Sequence, residues 1–256
     1  MTTAAKPISE VDPSLLVTED GRYQPYIYWL ETCGLFDFYD FALSRMGDMS
    51  GKHILDCGCG PGHTCVMFTR RGATAKGFDV DDGELDKARR IAEANGVEVD
   101  YSNQRFEEIN YPDHSFDLAF GSCVIHHVDI DEAARQLGRV LKPGGKGIFI
   151  ENSNRNPFLM LARSRLVGRF GVPKYGDDEE EHPLRDDEIE LLRQEFPGQV
   201  NVHFPALVLF RLLDFYVFRR RSKLLTSLMR GLDKAIGSIY FMRRYSYFQI
   251  IEFQRD

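Results

Sequence analysis

A short apolar run, Ile54-Leu55-Asp56-Cys57, passes directly into Gly58-Cys59-Gly60-Pro61-Gly62, and a helical pattern begins at His63. Glycines at alternate positions let a backbone adopt left-handed dihedrals and approach a ligand closely. The unpaired N–H groups of the helix that follows add a polar floor. Strand, bare turn and helix in this order are the opening unit of an open α/β sheet.

The rest of the chain repeats that unit. Apolar strands are predicted at 52–57, 74–80, 97–101, 116–122 and 146–152. Helices are predicted at 63–71, 83–95 and 130–141, the last stopped by Lys142-Pro143-Gly144-Gly145. A later helix at 186–196, capped by Asp186 or Asp187, precedes two more strands at 200–204 and 247–253. Short apolar strands alternating with helices mean a parallel sheet covered on both faces. The expected fold is α/β: a doubly wound, mostly parallel, seven-stranded Rossmann-like sheet. An N-terminal helical cap precedes it, and a helical insertion comes before its last strand.

The cap spans 1–49 and carries Tyr23, Tyr26, Tyr28, Trp29, Phe36, Phe38, Tyr39 and Phe41. It reads equally as a packed amphipathic segment or as a lid over a ligand. The α/β domain is 50–256, with lid insertions at about 155–185 and 206–244.

The turn reads G-x-G-x-G. A dinucleotide fingerprint needs its third glycine at position 63, where this chain has His63. That argues against a nicotinamide dehydrogenase. The second strand ends in Asp79, an acid at the place where nucleotide folds accept both ribose hydroxyls; the bland alternative is a helix cap or a surface charge.

With these residues the chain resembles the class I S-adenosylmethionine-dependent methyltransferases. Gly58-Cys59-Gly60-Pro61-Gly62 is similar to their first motif, and Gly77-Phe78-Asp79-Val80-Asp81 to the ribose-binding one. Tyr111-Pro112-Asp113-His114-Ser115-Phe116-Asp117-Leu118 resembles the approach to their fourth strand, and Leu141-Lys142-Pro143-Gly144-Gly145 the turn before the fifth. The resemblance covers about residues 50–152. It implies S-adenosylmethionine as methyl donor, with Asp56, Gly58, Cys59, Gly60 and Gly62 around the methionine moiety. Asp79 is implied at the ribose, Val80 among the other cofactor-binding residues, and Ser122 beside the sulfonium. Many relatives bind the adenine amine with an Asp after the third strand; the matching residue here is Arg105, a departure. Phe106, next to it, is expected to stack on the ring or offer its backbone N–H.

Methyl transfer needs an acceptor aligned about 3–3.5 Å from the methyl. A base helps only where the acceptor must lose a proton. Candidates for catalysis are His126 and His127, after the fourth strand, and Glu151, which ends the fifth. A histidine titrates near neutrality and suits a base; equally, it can shape the pocket by a hydrogen bond. Glu151 reads as a group orienting an acceptor amine or hydroxyl, or as a strand-end charge. Cys57, Cys59, His63 and Cys65 lack the C-x-x-C spacing of a zinc site, so no metal is expected.

Five cysteines without a framework spacing, and no apolar leader, suggest free thiols in the cytoplasm. The net charge is −7, yet residues 206–256 hold ten Lys/Arg against four acids. The expected partner is a small, apolar or amphipathic acceptor. The acidic balance elsewhere disfavours nucleic acid. Rival readings are an RNA or protein methyltransferase docking through the basic tail, and a non-catalytic protein of the same fold. The segment 206–244, apolar and basic side by side, reads as a peripheral membrane contact, a greasy lid or a packed helix. The acidic run from Asp177 to Glu181 reads as a solvated loop.

Overall fold

The computed structural model describes residues 12–18, 34–166 and 182–256. Tyr23, Tyr26, Tyr28, Trp29, Cys33 and the run from Asp177 to Glu181 lie outside the described residues. Seven strands form one sheet in the order β3-β2-β1-β4-β5-β7-β6. They are β1 (His53–Cys57), β2 (Thr74–Asp79), β3 (Asp100–Asn103), β4 (Phe116–Ser122), β5 (Leu141–Asn152), β6 (Gly198–His203) and β7 (Phe248–Arg255). Strands β1 to β5 pair in parallel, and β7 runs antiparallel between β5 and β6.

The helices are α1 (Phe36–Met46), α2 (His63–Arg70), α3 (Asp82–Ala94), α4 (Ile130–Val140), α5 (Pro157–Leu166), α6 (Asp186–Glu195), α7 (Phe210–Tyr216) and α8 (Lys223–Gly237). Adjacent strand residues point to opposite faces, and each face of this sheet is apolar. Ile54, Leu118, Phe120, Ile148 and Ile250 enter one core beneath α1, α2 and α3. Leu55, Ala119, Phe149, Ile251 and Phe253 enter the other beneath α4 and α6. Phe149 stacks edge-on against Phe253 at 5.5 Å, and both are fully buried. Truncating either to Ala removes about 3–5 kcal/mol of stability.

Helix α1 is anchored to the first core by Phe38 on Phe248 and Tyr39 on Phe120. Its last turn is tied to the sheet by Arg45, which bonds both oxygens of Glu252 on β7 at 3.0 and 2.7 Å.

Local differences from the expected elements have local causes. β3 starts at Asp100, not Val97, because only 100–103 pair with Lys76–Asp79 of β2. Leu141 already pairs with Phe116 and Lys146 pairs with Leu118, so Lys142–Gly145 is a loop inside β5 rather than a turn before it. The cap of α6 is Arg185, whose backbone N–H is accepted by Glu188, rather than Asp186 or Asp187. Helix α5 was not expected. Residues 206–244 resolve into α7, α8 and a 3-10 turn at Tyr240–Tyr245.

Candidate active site

The glycine turn sits at the carboxyl end of β1, between the ends of β2 and β4. Gly58, Gly60 and Gly62 all have left-handed φ, at 64°, 50° and 71°. Each lacks a side chain for a different reason. A Cβ on Gly58 would lie 2.7 Å from Val124 Cγ2, and one on Gly62 would collide with Tyr101 Oη and Ala88. A Cβ on Gly60 would meet nothing within 4 Å. The bare Gly60 backbone therefore faces an open cradle.

Asp79 stands on the rim of that cradle. Its Oδ2 accepts from Gly60 N at 2.8 Å, and its Oδ1 from Asp81 N at 3.0 Å. Asp81, not Asp79, caps α3 by accepting from Gly83 N and Glu84 N. Asp79 is half-buried, and each carboxylate oxygen has capacity to accept beyond the one backbone bond named. Val80, next to it, is 63% exposed, an apolar side chain left open at the strand tip.

Asp56 lies beneath the turn, 2% exposed. Thr64 donates its hydroxyl to the Asp56 carboxylate, and Cys65 Sγ lies 3.3 Å from the same oxygen. Burial raises Asp56 to about 7. It braces the first turn of α2 from below. Thr64 is a contact sequence reasoning missed; its only signal was a hydroxyl at the start of a helix. Burial also lowers His63 to about 4, so this imidazole is neutral. The Cys59 and Cys65 thiols occupy the space a Cβ on Gly77 would need, 2.9 Å from each. Burial pushes Cys57 and Cys65 well above the ordinary thiol range. Among the described residues no cluster of three His, Cys, Asp or Glu could hold a metal ion.

Across the cradle, Ser122 ends β4 opposite Ile150. Cys123 takes a left-handed φ of 57°, and its N–H bonds Ile150 O at 2.7 Å, reversing the chain. Val124 then docks against Gly58, joining the post-β4 turn to the glycine turn. No pattern in the sequence announces that contact. Ile125–His127 form a 3-10 turn.

Glu151 corrects one expectation. It does not open on the mouth of the site; it is fully buried. One oxygen accepts from Val124 N and Ile125 N at 2.9 and 2.8 Å, and the other bonds His126 Nδ1 at 2.6 Å. Glu151 therefore builds the turn instead of meeting an acceptor. The His126 side chain is almost wholly covered, with a ring centroid 4.1 Å from that of His127, which is exposed.

Phe106 is a second correction. Its ring is 3% exposed and packs on Phe78 at 5.7 Å and parallel to Phe149 at 6.0 Å, so it is core and cannot stack on a ligand. Only its backbone remains for that role. Arg105 is exposed and pairs with Glu107 at 3.3 Å.

The open glycine backbone, the acid on its rim and the exposed apolar tip fit an adenosyl group with ribose hydroxyls. Residues 55–149 match the methyltransferase domain family. The chain is 31% identical over 186 residues to a ubiquinone biosynthesis O-methyltransferase of Ruegeria pomeroyi, covering 68% of this chain and 73% of the relative. It belongs to the class I S-adenosylmethionine-dependent methyltransferases.

A ubiquinone biosynthesis O-methyltransferase of Roseobacter denitrificans is 30% identical over 213 residues, 73% of this chain and 83% of its own. Two solved structures share the fold. An S-adenosylmethionine-dependent methyltransferase from Mesorhizobium loti superposes with a TM-score of 0.59 at 20% identity, over 86% of this chain and 98% of that one. A geranyl diphosphate C-methyltransferase from Streptomyces coelicolor gives 0.58 at 16%, over 85% and 78%. This methyltransferase uses S-adenosylmethionine as its methyl donor and methylates a small molecule.

Proposed function

We propose that the methyltransferase methylates a hydroxyl oxygen of a small, apolar or amphipathic acceptor, with His127 as the base. The observation that carries this reading is the Glu151–His126–His127 arrangement on a turn packed against the glycine turn. The two O-methyltransferase relatives support oxygen as the methylated atom.

Bound S-adenosylmethionine supplies an electrophilic methyl on a sulfonium, with a neutral thioether as leaving group. The chain's residues do the rest. Asp79 would accept hydrogen bonds from the ribose hydroxyls, with Gly60 N–H holding its carboxylate in place. Gly58, Gly60 and Gly62 bring backbone close to the donor, with Val80, Arg105 and the Phe106 backbone around the base and Ser122 near the reacting end. His126 donates its Nδ1–H in a hydrogen bond to the Glu151 carboxylate, which fixes its tautomer and orientation. The ring of His127 rests on that fixed imidazole and takes the hydroxyl proton as the oxygen attacks. The segment 206–244 closes over the acceptor and excludes water. The thiols of Cys57, Cys59 and Cys65 suit a reducing cytoplasm.

The test is methyl transfer from labelled S-adenosylmethionine to a panel of phenols, catechols and hydroquinones with apolar tails. His127→Asn should lower kcat about 100-fold while S-adenosylhomocysteine binding stays unchanged by calorimetry. Product carrying the methyl on nitrogen or carbon would overturn the oxygen assignment. An His127→Asn enzyme of full activity would remove the base.

A further inference from the structure

β7 runs antiparallel to both neighbours, so the end of β6 at His203 and the start of β7 at Phe248 share the edge where the parallel strands end. The chain between them leaves and re-enters the sheet at the active-site end. Helix α5, directly after β5, leaves from the same edge. Asn156, at its start, donates to Tyr245 O at 2.8 Å and binds the two segments together.

The outer face of this region is apolar and cationic at once. On α8, Leu224 and Leu228 are one turn apart and 82% and 55% exposed. Ile239, Tyr240 and Phe241 follow, all exposed, and Phe158 and Leu161 of α5 are exposed as well. Residues 217–244 contain eight Lys/Arg and one acid, Asp233. Asp233 is buried: its oxygens accept from Leu209 N, Phe210 N, Arg211 N and Arg211 Nε. It adds no charge to the surface. Arg221, Lys223 and Lys234 are exposed on the same segment as the leucines, and Arg244 lies over the Phe241 and Tyr245 rings.

We propose that this face, formed by 217–244 with the start of α5, docks the methyltransferase onto an anionic lipid bilayer. The exposed Arg221, Lys223, Lys234 and Arg244 complement negatively charged headgroups. Exposed leucines and aromatics among them enter the boundary between headgroup and acyl chain. A nucleic-acid surface would explain the cations but would leave Leu224, Leu228 and Ile239 in contact with phosphate. No helix among the described residues is long and apolar enough to cross a membrane; the feature is an interfacial face. Docking there puts the mouth of the site toward the bilayer, where an amphipathic acceptor is concentrated. The inference does not depend on which acceptor atom is methylated.

Flotation of the whole chain with phosphatidylcholine vesicles, with and without about one third phosphatidylglycerol, tests it. Binding should favour the anionic vesicles about tenfold or more and weaken in high salt. Leu224→Ser/Leu228→Ser should lower it about tenfold, and so should Arg221→Glu/Lys223→Glu/Lys234→Glu. Tyr240→Ser/Phe241→Ser is a second apolar variant outside α8. Each variant is first shown to bind S-adenosylhomocysteine as the parent does, which separates lost docking from lost folding. Equal binding to both vesicle types, or variants that float like the parent, would overturn the proposal. So would vesicle-free chain that the leucine variant converts from dimer to monomer, or a salt-sensitive complex with RNA in place of flotation.

Discussion

Glu151 and His126 meet at 2.6 Å with the carboxylate fully buried, and the same carboxylate holds the backbone N–H groups of Val124 and Ile125. One side chain from β5 thus sets the path of the turn after β4 and the orientation of the imidazole on it. Removing the carboxylate strands two backbone donors and a ring nitrogen in the interior. Glu151→Ala should destabilise the protein by about 3 kcal/mol or more. Glu151→Gln keeps the shape but faces His126 with an amide. It should lower kcat about tenfold or more at nearly unchanged donor affinity, a split that urea melts and steady-state kinetics will read.

Gly60 and Gly62 separate donor binding from folding. Gly60→Ala strains a left-handed residue by about 1 kcal/mol, and its Cβ enters only the cradle. Its thermal midpoint should shift little, while calorimetry shows S-adenosylhomocysteine affinity down about tenfold or more. Gly62→Ala drives a Cβ into Tyr101 and Ala88. It should lose about 1–3 kcal/mol of stability before any ligand is added.

Asp79→Ala should weaken S-adenosylhomocysteine binding about 30-fold or more, because the ribose hydroxyls lose a charged acceptor. Asp81 continues to cap α3, so the helix should keep its far-ultraviolet signal. A full-affinity Asp79→Ala protein would contradict the ribose assignment.

Asp56 makes stability fall with rising pH. Burial raises its folded value to about 7 from 3.8. The native state therefore holds a proton that the unfolded chain releases. The benefit is complete below about pH 4 and lost as pH climbs through about 7, a change of about 4 kcal/mol. Urea melts from acid to neutral pH should show this slope, and Asp56→Asn should remove it.

Glu252 works in the opposite direction. Burial alone would raise it, but Arg45 and His203 hydrogen bonds outweigh burial and hold it below the usual carboxylate value. Its contribution is present above about pH 4.5 and lost as pH falls through the lowered folded value. Glu252→Gln should flatten the acid limb of the same titration and loosen α1, seen as faster hydrogen exchange in Phe36–Met46.

The sequence by itself determined the α/β class, all seven strands of the sheet and the glycine turn with its partner Asp79. These rest on features a few residues long: apolar alternation, glycines at fixed spacing, an acid at a strand tip. Position along the chain also placed His126, His127 and Glu151 at strand ends.

Tertiary structure alone decided what those three residues face. Glu151 and Phe106 are adjacent in sequence to the site yet point into the interior. The difference is set by pairings across strands: Glu151 by the turn that follows β4, Phe106 by the rings of Phe78 and Phe149. Val124 against Gly58 and Thr64 beneath Asp56 are likewise contacts between separate elements. The start of β3 and the loop within β5 follow from which residues find a partner on the neighbouring strand. Such contacts depend on register and burial in three dimensions, which local residue patterns do not encode.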